Sequence, residues 1–403
     1  MEKMMKRVIG TFLAAAAAAI ALSGTVLAEE KPIVIGFAIA QSGWFAINDD
    51  GGIKAAELAI DELNAKGGIL GRKIKTIYAD NKSDRAQGAK GALEVLEKGA
   101  DAVFVDLDYD MGVAAALEAN KAGKIAFSIG AEDVKMGVQG VGPLAFTSAM
   151  AAQLEGAAMA EWGYEKKGFK TTYLLTDTLI EYTKSVCNGY DVAAKTLAGA
   201  KIVGRDTFKN GDPSMVAQVT RIKNLDPAPD VIMICTFTPG GGAAVRQIRA
   251  AGIKTPIFST TAMDGNYWLD AVPNLSEFYY PVHGSDYGDD PRAAVNDVVK
   301  KYKAKYNAEP PFTHALLGYV AVNLYATAVE RAKSTDAKKV AAALESSDGI
   351  PTILGPYSFS HDLHIQNKFS FPIMSVQDGK HAVIDTWVTK TPFTTNELLR
   401  KAE

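Results

Sequence analysis

Apolar residues in this chain come in short runs, separated by stretches in which they recur at helical spacing. Runs at 33–40, 74–79, 102–106 and 125–129 predict strands, and 52–65, 87–98 and 112–122 predict amphipathic helices between them. This alternation predicts a parallel sheet covered on both faces. The pattern starts again with strands at 172–176, 202–208, 231–236 and 256–259, interleaved with helices near 183–197, 213–224 and 241–251. Two runs of similar size predict two lobes of one architecture, with a break near 146–150 and a second passage near 273–281. Helical spacing follows at 291–306 and 315–333, and the chain from Gly355 onwards alternates like hairpin strands. A chain that builds one lobe, then another, then adds helices and strands returns to both. The expected boundaries are 29–148 with 282–365 for lobe 1 and 149–281 with 366–403 for lobe 2. The fold class read from the pattern is α/β, two doubly wound parallel-sheet lobes arranged as a clamp.

The start of the chain breaks this pattern. MEKMMKR carries a positive balance, residues 8–26 form an alanine-rich apolar segment, and Val26-Leu27-Ala28 precede Glu29. That is the layout of an export signal, so residues 1–28 are read as a signal peptide cleaved after Ala28 and the protein is placed in the periplasm. An uncleaved membrane anchor is the alternative. It is disfavoured because the run is short and rich in weakly apolar alanine against the ~20 residues a span needs. The rest of the chain is too long for one core, in keeping with two lobes.

Charge and cysteine content exclude several function classes. The net charge is −3 with Lys and Arg dispersed, which leaves no basic patch for nucleic acid. Cys187 and Cys235 are the only cysteines, too few for a disulfide framework. Cys235 lies inside the apolar run Val231-IMICTF and reads as a buried thiol, while a Cys187–Cys235 bond is the alternative in an oxidising compartment. There is no GxxxxGK[ST], HExxH or GxSxG motif, and Pro239-GGGAAV lacks the lysine and spacing of a phosphate loop. His361-D-L-His364 is the one histidine pair with short spacing, and it reads as a solvated turn rather than a metal fragment. No metal, cofactor or catalytic residue is expected, and the chain is read as a non-enzyme.

Ligands of open α/β sheets bind beyond the carboxyl ends of the strands. Those ends carry Gln41-SGW, Asp106-LDYD and Ser128-IGAED in lobe 1, and Thr176-DTLIEY, Thr236-FTPGGG and Ser259-TTAMDGNYW in lobe 2. Each carboxylate alone reads equally well as a helix cap or turn residue. Their convergence, with Trp44, Tyr109, Tyr182, Phe237, Tyr267 and Trp268, is what points to a site for a small molecule.

The stretches AIDELNAKGGILGRKIKTIYADNKSD, AAVRQIRAAGIKTPIF and LGPYSF resemble the branched-chain amino-acid-type periplasmic binding proteins of ABC importers, from about residue 31 to about 389. Asn64-AKGGILGRK is the most specific of these. The resemblance implies a type I binding protein: two lobes joined by three crossovers, a monomer that closes on a small ligand and docks on an inner-membrane ABC permease. The family's carboxylate-binding serine falls at Asp108, flanked by Tyr109, and its amide and threonine hydroxyl at Gly130 and Glu132, with Ala131 between. Its covering aromatic falls at Phe237, Asp177 lies near the cleft mouth, and Asp264 is the nearest candidate for the acid that holds an amino group. Trp44 is expected to wall the cleft and Tyr182 to face it.

Two departures change the expected ligand. Asp108 and Glu132 put carboxyls where the family places hydroxyls against a ligand carboxylate. Like charges ~4 Å apart cost on the order of 4 kcal/mol at an effective dielectric near 20, about three decades of affinity. Either a carboxyl is protonated, or a cation intervenes, or the ligand has no carboxylate there. The last reading is favoured, so the ligand is expected to be cationic or neutral and polar. An amino-acid binder, a periplasmic sensor that presents its ligand to a receptor and, least favoured, an amide hydrolase are the rivals.

Overall fold

The computed structural model describes residues 31–401. The expected signal peptide, residues 1–28, and its cleavage point lie outside the described residues. Strands β1 (Ile33–Ile39), β2 (Ile74–Asp80), β3 (Ala102–Val105), β4 (Ile125–Ser128) and β5 (Ala145–Thr147) form an all-parallel sheet in the order β2-β1-β3-β4-β5. Helices α1 (Ala46–Ala65), α2 (Arg85–Glu97) and α3 (Tyr109–Lys121) alternate with the first four strands. The chain then builds a second sheet from β6 (Thr171–Asp177), β7 (Lys201–Phe208), β8 (Val231–Cys235), β9 (Ile257–Phe258) and β10 (Phe278–Pro281), all parallel, with α4 (Ala152–Trp162), α5 (Glu181–Thr196), α6 (Val216–Lys223) and α7 (Gly240–Ala250).

It returns to the first sheet with α8 (Ala293–Tyr306), α9 (Ala315–Ala332) and α10 (Ala337–Glu345), followed by the hairpin β11 (Ile350–Thr352) and β12 (Gly355–Tyr357). Strands β13 (Ser370–Gln377) and β14 (Lys380–Val388) close the second sheet as an antiparallel edge in the order β14-β13-β10-β9-β8-β6-β7, before the short α11 (Thr395–Leu398). The chain therefore crosses between sheets three times: after Thr147, after Pro281 and before Ser370. Two of these passages are tied to the third by Ala151 N donating to Gln366 O at 2.8 Å and Val282 N to Pro372 O at 3.0 Å.

Period-two alternation explains the layers. Phe37 packs with Phe104, Phe127 and Phe146, their successive ring centroids 5.4–6.2 Å apart, in the core cluster that also holds α1 and α9. Ala38, Val103, Ala126 and Ala145 point the other way, against Ala92 and Val95 of α2 and Ala115 and Ala119 of α3. Two helix crossings depend on glycine. A Cβ on Gly318 would stand 2.0 Å from the Gly52 carbonyl oxygen, where α9 crosses α1; one on Gly189 would stand 2.0 Å from the Gln153 oxygen, where α5 crosses α4. No side chain fits at either contact.

Asn64-AKGGILGRK forms the exit from α1. Gly67, Gly68, Leu70 and Gly71 all have positive φ, and the Asn64 side chain bonds both Ile74 N (2.7 Å) and Ile74 O (2.9 Å). The turn thereby locks the helix to the start of β2. Two expectations need correction. Cys187 of α5 and Cys235 of β8 are joined as a disulfide, so Cys235 is not a free thiol. The His361–His364 turn is solvated only at His361; His364 is buried, stacks on Phe146 and bonds Ala145 O at 2.8 Å and Glu345 at 3.0 Å. The short strand β5 ends within the expected break near 146–150, and the first passage between sheets follows it. Among the described residues no helix is long and apolar enough to cross a membrane.

Candidate ligand-binding site

The carboxyl ends of both sheets open on one cavity. Its first wall comes from the start of α1 (Phe45, Asn48) and the loops after β3 (Leu107, Asp108) and β4 (Gly130, Glu132). The opposite wall comes from the second sheet: Ile180 and Tyr182 at the start of α5, Phe237 after β8, and Ala262 and Tyr267 after β9. Phe312 and His314, just before α9, complete it.

Local sequence explains the placement of the acidic residues. Asp108 caps α3, accepting a hydrogen bond from Met111 N at 3.3 Å, which leaves most of its acceptor capacity unused. Glu132 rides on a turn fixed by Ser128, whose Oγ accepts from Ala131 N (2.8 Å) and Gly130 N (3.2 Å), while Thr147 Oγ1 donates to Ala131 O (2.7 Å). Glu132 Oε1 is 2.5 Å from His314 Nε2 and 3.3 Å from His283 Nε2, and its Oε2 has no partner. Glu155, on the first turn of α4, accepts from Tyr182 OH (2.9 Å), Thr261 N (3.1 Å) and Thr261 Oγ1 (3.0 Å).

Burial controls the protonation of this group. It pushes the Asp108 carboxyl up to about 8, with Asp110 adding to the effect, and Glu132 up to about 8 as well. Glu155 is raised by burial and then by Glu132, whereas burial lowers His283 and His314. Burial thus favours the neutral forms of both the acids and the imidazoles in this group. The like-charge conflict expected from the sequence arises only when these acids ionise. Among the described residues that line the cavity, none is Lys or Arg.

Five of the ten expected site residues line this cavity: Asp108, Gly130, Glu132, Tyr182 and Phe237. The other five do not. Trp44 is 52% exposed and meets Phe45 edge-on, and it is Phe45 that lines the wall. Tyr109 is half-buried, with Lys135 Nζ 5.8 Å from its ring. Ala131 is buried beneath the Glu132 turn. Asp177 accepts from Asn210 N, Asn210 Nδ2, Leu179 N and Thr236 Oγ1 at 2.9–3.1 Å, and so fastens a loop. Asp264 accepts from Tyr280 OH, Tyr287 OH and Thr313 N and lies outside the cavity lining. Sequence reasoning missed His314, Phe312, Phe45, Asn48, Glu155 and His283. The Pro310-Pro311-Phe312-Thr313-His314 loop, ending where a helix begins, was the one local signal available.

Contacts across the cavity mouth join the two sides. Glu181 N donates to Asp110 Oδ2 (2.8 Å), Lys135 Nζ pairs with Glu181 (2.6 Å), and Ser185 Oγ donates to Asp133 Oδ2 (3.0 Å).

Comparison with known proteins adds the following. Residues 32–380 match the family model described as periplasmic binding protein. The chain is 25% identical over 359 residues to Leu/Ile/Val-binding protein homolog 3 of Brucella melitensis, covering 89% of this chain and 95% of that one. It superimposes on the crystal structure of the branched-chain amino acid transporter substrate binding protein LivJ from Streptococcus pneumoniae, in complex with isoleucine, with TM-score 0.76 and 28% identity over 89% of this chain and 99% of the other. A solute binding protein from R. palustris in complex with benzoate has the same fold at TM-score 0.73 and 19% identity, covering 88% and 96%.

Proposed function

Because the chain belongs to the periplasmic binding protein family, we propose that it is the solute-binding component of an ABC importer, capturing a small cationic or neutral polar ligand in the cavity between its two lobes. The observation that carries the ligand class is the set of buried acids, Asp108 and Glu132, facing a cavity lined by no Lys or Arg among the described residues. A ligand cation draws the protons off these acids and is held by charge and by the faces of Phe45, Phe237, Tyr267 and Phe312. A neutral ligand rich in N–H or O–H groups donates to them.

No bond is made or broken in this cycle. The lobes, 29–148 with 282–365 and 149–281 with 366–403, close about the three crossovers; ligand contacts from both walls favour the closed state. After export and cleavage behind Ala28, the closed monomer docks on a permease in the inner membrane. The rival reading, a branched-chain amino-acid binder, draws support from the isoleucine complex of the Streptococcus pneumoniae relative. A thermal-shift panel of amines, betaines, polyols, amides, aromatic acids and amino acids separates the two. A ligand at 100 times its Kd adds roughly 2.7 kcal/mol of stability. Shifts with amines, polyols or amides support the proposal, and shifts confined to acids and amino acids sink it.

A further inference from the structure

Two residues of the cavity wall, Glu132 and His314, meet the buried His283 in a group that a purely organic ligand leaves unexplained. Glu132, His283 and His314 come from three distant segments: the loop after β4, the crossover after β10 and the loop before α9. Each is buried, at 3%, 0% and 4% exposure. One carboxylate oxygen and two imidazole nitrogens lie within 4.8 Å of one another. The closest approaches are 2.5 Å, His314 Nε2 to Glu132 Oε1, and 3.3 Å, His283 Nε2 to the same oxygen.

Hydrogen bonding accounts for only part of this group: His314 Nε2 bonds Glu132 Oε1 at 2.5 Å and lies 3.3 Å from Thr261 Oγ1. Both ring nitrogens of His283, Nδ1 of His314 and Oε2 of Glu132 are buried without a hydrogen-bond partner. A buried polar atom left unpaired costs on the order of 1–3 kcal/mol, and four such atoms in one cluster are a large burden unless something else engages them. Their neighbours are already committed: Glu155, its Oε1 4.0 Å from His283 Nε2, is bonded by Thr261 and Tyr182.

We propose that Glu132, His283 and His314 form a binding site for a divalent transition-metal ion, of which Zn2+ is the representative. Two imidazoles and one carboxylate are a donor set suited to such ions and poorly suited to Mg2+ or Ca2+, which take oxygen ligands. Bonds of ~2.0–2.2 Å to each donor place ligand atoms about 3.4 Å apart around a tetrahedral ion, a spacing these side chains reach by small rotations. Three protein ligands leave a fourth position. Glu132 and His314 line the cavity, so that position opens towards the ligand space. The inference rests on the cavity being the solute site and sharpens its chemistry: the cation awaited by the acids is a metal ion, and an oxygen or nitrogen donor of a small organic molecule seated among Phe45, Phe237, Tyr267 and Phe312 completes its shell.

The test uses the full mature protein, stripped with EDTA and titrated calorimetrically with Zn2+ alone, then with Co2+ followed by its visible absorption. One equivalent of Zn2+ should bind, and bound Co2+ should show the intense bands of a low-coordinate site. His283→Gln and His314→Gln should each weaken Zn2+ binding by about 100-fold or more. His361→Ala, at an exposed histidine, should leave it unchanged. Absence of saturable Zn2+ binding, binding that survives both cavity substitutions together, or loss of binding in His361→Ala overturns the proposal. Circular dichroism melts check that each variant is folded; if one is not, the Co2+ bands of the wild-type protein decide, and their absence counts against the site. An EDTA-treated protein whose melt shifts with amines or polyols, yet which binds no Zn2+, refutes the metal site and leaves the solute-binding reading standing. A protein that responds to neither refutes both.

Discussion

At the carboxyl ends of the two sheets, carboxylates of similar burial are employed in opposite ways. On the second sheet, Asp177 accepts from Asn210, Leu179 and Thr236, and Asp264 accepts from Tyr280, Tyr287 and Thr313. On the first, Asp108 accepts one long bond, and Glu132 leaves an oxygen unpartnered. Asp106 belongs with the saturated group: Asn81 and Ala40 N fill its oxygens. A saturated buried carboxylate holds loops in place, while an unsaturated one keeps its acceptors for something that arrives. The second sheet is also stapled through Cys187 and Cys235. The comparison casts that side as a rigid platform and the first side as the carrier of the recognition chemistry.

The largest expected effect is on the platform. The disulfide closes a sequence separation of 48 residues, and chain entropy assigns such a loop about 4 kcal/mol. Cys187→Ala with Cys235→Ala should lower stability in urea unfolding by about that amount, with ligand affinity within about twofold of wild type. A large affinity loss in the folded variant would break the comparison. Next comes the contrast between carboxylates. Asp177→Ala removes the main acceptor of the buried Thr236 hydroxyl and one of the two acceptors of the half-buried Asn210 amide, and should cost about 3 kcal/mol of stability. Glu132→Gln should change stability by less than about 1 kcal/mol yet cost about 2 kcal/mol of ligand binding, roughly 30-fold, by calorimetry.

A pH series sharpens the same contrast. Burial holds Asp108 up to about 8, with Asp110 and Asp106 reinforcing the rise and Arg85 opposing it. Its unfolded value is near 3.9, so the native state carries the extra proton between these values, and stability of the unliganded protein should fall as pH rises from about 4 towards 8. A cation binds the ionised carboxyl, so its affinity should rise by up to about tenfold per pH unit below 8 and flatten above, with a shallower slope in Asp108→Asn. A slope of the opposite sign would indicate a ligand carboxylate that needs the proton. The smallest effect is at the cavity mouth. Against the upward pull of partial burial, Lys135, Lys184 and Arg400 hold Glu181 down to about 2. Its stabilising contribution is present above about 4.5 and lost as pH falls through 2. Glu181→Gln should weaken ligand binding only a few-fold, less at high salt, because the pair is partly exposed.

How much of this was legible in the chain differs between fold and site. Strand and helix periods depend on neighbours a few residues away, so β1–β4, α1–α3 and the second βα run were readable, and Asn64-AKGGILGRK carried the family likeness. The site depends on distant convergence. Glu132, His283 and His314 are more than 30 residues apart at every step, and no local period connects them. Trp44 and Phe45 are adjacent aromatics, and only the start of α1 decides that Phe45 turns inward. Asp108 and Asp264 look alike as strand-end acids; the number of donors that reach each one separates them, and the donors of Asp264 come from as far as Thr313. Cys235 in an apolar run looks the same whether its partner helix carries a thiol or not.

The most direct measurement is a calorimetric comparison, at pH 7 and on EDTA-treated, metal-free protein, of ligands that differ only at the carboxylate: leucine with leucinamide, benzoate with benzamide, and glycine betaine with choline. The account predicts that wherever a pair binds, the amide or alcohol member binds more tightly, and that Glu132→Gln narrows the gap. Tighter binding of the carboxylate member in any pair would contradict it.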